Sequence, residues 1–73
     1  MWLIMQNGKA INTDMIIEIG IDDSKIIAVA PNAGHVTVAE YDTAKAAEIE
    51  YLNILYALER NERSYYVNGG PWA

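Results

Sequence analysis

Between residues 15 and 22 the chain alternates. Met15, Ile17, Ile19 and Ile21 fall on one side, and Ile16, Glu18, Gly20 and Asp22 on the other. Period-two alternation with carboxylates on one face predicts a half-buried antiparallel strand. The polar stretch 22–25 is a turn, and residues 26–30 read as the returning strand. Pro31, Asn32, Ala33 and Gly34 break it, each a turn-forming or turn-tolerant residue. Residues 36–41 form the next strand, with Val36 and Val38 on one face and Thr37, Ala39 and Tyr41 on the other. Upstream, the short apolar run 2–6 stops at Asn7-Gly8, a pair favoured in tight turns.

After Tyr41 the period lengthens. Asp42 or Thr43 can cap a helix by offering a side-chain oxygen to the first free N–H groups. The helix is expected over residues 44–62, a length of about 30 Å, whereas a six-residue strand spans only about 20 Å. Ala47, Tyr51, Ile54, Leu55 and Leu58 recur at three- and four-residue spacing and form its core stripe. Ile49, Leu52 and Tyr56 form a second stripe on another side. One sheet covers one side of a helix. The second stripe is therefore either covered by the C-terminal segment or is an interface with a second copy or a partner.

These elements define an α+β domain: an antiparallel sheet of about four strands followed by one long amphipathic helix (ββββα). Residues 1–62 form the sheet-plus-helix unit and residues 63–73 an aromatic, glycine-rich tail, in which 64–67 offer an extra edge strand. Seventy-three residues hold a single domain with a thin core. Domains this small usually need a supplement such as disulfides, a metal or oligomerisation. Cysteine is absent, and the one histidine, His35, makes no metal cluster. Self-association, or simply dense aliphatic packing, is left open. Ten isoleucines against four leucines, with no phenylalanine, suit a sheet.

The net charge of −5, from ten acidic and five basic residues, argues against direct nucleic-acid binding. No apolar run approaches the roughly 20 residues of a membrane span. The apolar start lacks a basic region and breaks at Gln6, unlike a signal peptide. A cytoplasmic setting is expected.

Catalytic chemistry finds little support. Ser24 and Ser64 lie in polar segments and His35 is expected in an exposed loop; their spacing suggests no nucleophile–base pair. Asn68, Gly69, Gly70 and Pro71 open no helix and lack the lysine of a phosphate loop. Asp22 and Asp23 are too few for a calcium loop. Glu48 and Glu50 are two apart on the helix, do not face each other, and read as surface charges. No enzyme activity, cofactor or metal is expected.

The tail is the least ordinary stretch. Tyr65, Tyr66 and Trp72 sit with two glycines in nine residues. They either cover apolar surface or form a stacking pocket for a base.

Met1-Trp2, the Asn7-Gly8-Lys9 turn, Asn12-Thr13-Asp14 before an isoleucine-rich strand, and residues 39–43 before an alanine- and glutamate-rich helix together resemble small accessory proteins of phages and prophages of Gram-positive bacteria. The resemblance spans residues 1–60, and the Tyr-Tyr and Gly-Gly-Pro-Trp ending departs from it. It implies no catalytic residues. It implies a host bacterial cytoplasm and a host protein as partner, including components of anti-phage defence. The expected function is thus a non-catalytic antagonist acting by protein–protein contact, with Ile49, Leu52, Tyr56, Tyr65, Tyr66 and Trp72 as binding residues. The alternatives are a homo-oligomeric sponge for a nucleotide-like immune signal, and a structural or assembly protein of a virion.

Overall fold

A computed structural model describes residues 1–72. The expected α+β class holds, with a different sheet arrangement. Six strands form two three-stranded sheets around one helix, rather than four strands in one sheet. In the first sheet, β1 (Trp2–Ile4) pairs antiparallel with β2 (Ala10–Asn12). On its other side β1 pairs in parallel with β6 (Ser64–Tyr66), the extra edge strand offered by the tail. The second sheet is an antiparallel meander of β3 (Glu18–Asp22), β4 (Lys25–Ala30) and β5 (Gly34–Glu40). The helix α1 (Ala44–Glu59) follows β5.

The reason for two sheets lies in the first turn. Gly8, at φ 89°, donates its N–H to Met5 O, and Asn7 Oδ1 accepts from Lys9 N at 2.9 Å. The turn folds β2 back on β1, so β1's first partner is local. Gln6 then joins the sheets: its N–H donates to Val38 O, and its Oε1 accepts from Glu40 N, both at 2.9 Å.

The expected strand over residues 15–22 begins only at Glu18. Asn12 Oδ1 accepts from Asp14 N at 3.0 Å and starts a single 3₁₀ turn, Thr13–Met15. Local side-chain bonds of this kind compete with extended backbone. The predicted apolar face is split as a result. Ile19 packs on the core but Met15, Ile17 and Ile21 are 57%, 69% and 40% exposed, and Ile16, expected on the opposite side, packs on the core instead.

Val38 and Ala39 are consecutive yet both buried, contrary to the alternation expected for β5. The register shifts between Ile26 and Ile27, whose partners are Ala39 and Thr37, leaving Val38 as the extra residue of a bulge. A bulge turns two neighbours toward one face. His35 lies in β5, exposed but not in a loop.

The helix is capped by Thr43, whose Oγ1 accepts from Ala46 N at 3.1 Å. It ends earlier than expected. Asn61, at φ 55°, donates to Leu58 O, and Glu62 donates to Ala57 O. This is a Schellman closure, with Asn in the left-handed position usually held by Gly. The core gathers Leu3, Met5, Ile26, Ala28, Val38, Ala39, Ala47, Ile54 and Val67 from both sheets, the helix and the tail.

Candidate functional site

The buried line of α1 is Ala47, Glu50, Ile54 and Ala57. Of the expected core stripe, Ala47 and Ile54 are buried, while Tyr51, Leu55 and Leu58 are half-buried on the flank. Tyr51 Oη donates to Ile19 O at 3.3 Å and so ties that flank to the β3 edge.

Glu50 corrects the reading of it as a surface charge: it is 2% exposed. Four donors surround its carboxylate. Oε1 accepts from Asn68 Nδ2 at 2.7 Å and Asn53 Nδ2 at 3.1 Å. Oε2 accepts from Tyr65 Oη at 2.8 Å and the Asn68 backbone N–H at 3.0 Å. A buried carboxylate is tolerated when its lone pairs are taken up in this way. Glu50 therefore fastens the tail to the helix. Tyr41 adds a further bond, its Oη donating to Asn68 O at 2.6 Å.

Both phenols feel the arrangement. Burial and then the Glu50 charge push Tyr41 up to about 12. Tyr65 is raised further, first by burial and then by the hydrogen bond to Glu50 and its charge.

The six expected binding residues fall into three places. Ile49, Leu52 and Tyr56 lie on the outward side of α1 and are 52%, 46% and 56% exposed; the tail leaves them uncovered. Tyr65 turns inward to Glu50. Tyr66 turns outward, beside Ile4 in register, and meets Trp72 edge-to-face at 5.3 Å between ring centroids. The Trp72 indole lies against Gly70, where any Cβ would collide with it. The tail thus presents one aromatic pair and withholds its third ring.

Trp2 is a binding candidate that sequence reasoning passed over. It pairs with Asn12 and Ser64, and Leu3 beside it is fully buried, which puts Trp2 on the outer face with Ile4 and Tyr66. Alternation was the available signal, hidden in a run where every residue is apolar. Glu50 had a signal too: it sits three residues after Ala47 and four before Ile54, inside the core stripe.

Among the described residues no group of three or more His, Cys, Asp and Glu is placed to hold a metal ion. No described helix is long and apolar enough to cross a membrane. The fold and its surfaces define an α+β domain whose only buried charge among the described residues closes its own tail, and whose helix leaves an apolar stripe in the open. Compared with protein-family models, curated proteins and solved structures, the chain matches none.

Proposed function

We propose that the chain is a non-catalytic binding protein that acts by protein–protein contact through the outward stripe Ile49, Leu52 and Tyr56. The observation that carries this reading is their exposure, each about half open to solvent with none of the described residues folded over them. Exposed apolar patches of this kind mark interaction sites. A standard interface takes about 800 Å² from each partner, and the chain exposes 4689 Å² in total. Such an interface occupies one whole side of the molecule.

The resemblance of residues 1–60 to phage accessory proteins supports a host protein as the partner, in the cytoplasm of a bacterium, with a component of anti-phage defence as the class of target. The test is affinity purification of the tagged chain from host cells, beside a Leu52→Ser, Tyr56→Ser double variant. A stoichiometric partner that the variant loses supports the reading. A partner retained by the variant, or none at all, overturns it.

A second reading draws on the open Tyr66–Trp72 pair. A homo-oligomer of the chain would stack a nucleotide-like signal on these rings. Tyr65 takes no part, because its hydroxyl is held by Glu50. Light scattering and a tryptophan fluorescence titration with cyclic nucleotides test it: a strict monomer with unchanged emission sinks this reading.

A further inference from the structure

Five glycines occur in the chain, and four have a structural reason. Gly8, Gly34 and Gly69 adopt positive φ, where other residues are strained. Gly70 accommodates the Trp72 indole. Gly20 is the exception. It sits in the middle of β3 without positive φ, and a Cβ built on it meets nothing within 4 Å. Neither backbone conformation nor packing requires glycine there. A glycine inside a strand weakens it, and such positions often mark the close approach of a ligand or another backbone.

What surrounds Gly20 says which ligand. Cross-strand partners share a face. Glu18, Val29 and His35 make one row, and Gly20, Ile27 and Thr37 the next. The missing side chain leaves an open groove of about 220 Å³, floored by half-buried Ile27 and Val29. Glu18 and Asp22 flank it on β3, and His35 faces them across β4. Asp22 stands opposite Lys25 in register, whereas Glu18 stands opposite Val29 with His35 beyond it. Neither carboxylate forms an ion pair among the described residues, where the two pairs are Lys45–Glu48 and Arg60–Glu62. The groove is apolar below and anionic at its edge.

We propose that this groove takes an arginine or lysine side chain carried on an extended, basic segment of a partner protein. The aliphatic stem lies over Gly20 against Ile27 and Val29, and the cationic head reaches Glu18, the carboxylate with no lysine opposite it, with Asp22 at the other end of the groove. Long basic side chains combine an apolar stem and a charged tip in this way. The net charge of −5 favours approach of a basic partner. The groove lies on the outer face of the β3–β4–β5 sheet, apart from the helix stripe, so its test is independent of that reading.

The test is an amide NMR titration at low salt with the blocked peptide acetyl-Gly-Arg-Val-Arg-Gly-amide, using the wild-type chain, Gly20→Val, and the double variant E18Q/D22N. A valine at position 20 has open space and suits a strand, so it fills the groove while keeping the fold. The wild type is expected to show shifts at Gly20, Ile27 and Val29. Gly20→Val abolishes those at Ile27 and Val29, and E18Q/D22N weakens binding by up to about fivefold per carboxylate removed. Undisturbed wild-type amides overturn the proposal. So does a Gly20→Val chain that binds as well as wild type, or equal binding by E18Q/D22N.

Discussion

Glu50 holds Asn68 with both of its oxygens, Oε1 on the side-chain amide at 2.7 Å and Oε2 on the backbone N–H at 3.0 Å. One helical carboxylate thereby fixes the residue that follows Val67, itself fully buried. The tail is locked to the helix at a point eighteen residues away in sequence. That lock turns Tyr65 inward and leaves the second helix stripe bare.

Replacing Glu50 with Ala leaves four donors facing an emptied site. Unsatisfied buried groups and lost packing together make a destabilisation of about 3 kcal/mol the expected result. Urea unfolding followed by circular dichroism measures it. Glu50→Gln keeps the shape but points an amide NH₂ at two of the donors, and is expected to cost nearly as much. A change within about 0.5 kcal/mol for both variants would show that the lock contributes little.

Alkali should open the same lock. Folding raises Tyr41 to about 12 and Tyr65 further, from an ordinary phenol value near 10. The folded state therefore holds protons that the unfolded chain has already released. Stability is complete below about pH 10 and falls as pH rises toward the folded values. Urea midpoints measured from neutral pH to pH 12 follow this loss. Tyr65→Phe removes one of the two titrations and should make the alkaline slope shallower.

Gly20→Val bears on stability as well as on binding. The position is extended, unobstructed and inside a strand. A β-branched residue is expected to stabilise the chain by about 0.5–1 kcal/mol, read as a higher urea midpoint. Destabilisation would mean that the outer face has a packing demand the structure does not display.

Much of this was legible in the residues. The Asn7-Gly8 turn, the 22–25 turn, a cap at Asp42 or Thr43 and the outward helix stripe follow from local rules and are present, with Thr43 as the cap, while the expected core stripe holds only in part. Sheet partition was not legible, because β1 finds β6 across more than sixty residues in a parallel pairing that no local pattern encodes. The bulge at Val38 depends on register with β4, again a non-local matter. Residues 15–17 misled, because the 3₁₀ turn that Asn12 caps runs through Met15, inside the alternating stretch, and β3 begins only at Glu18. In the candidate site, Ile49, Leu52 and Tyr56 were readable from spacing, whereas Tyr65 and Tyr66 could be told apart only once their strand had a partner.

Photocrosslinking traps the contact proposed between the outward helix stripe and a host protein. A photoreactive benzoylphenylalanine placed at Leu52 and irradiated in host cells should give one discrete adduct heavier than the chain. The same group at Asn32, an exposed residue of the β4–β5 turn, should give none. No adduct at position 52, or the same adduct from both positions, overturns the proposed contact.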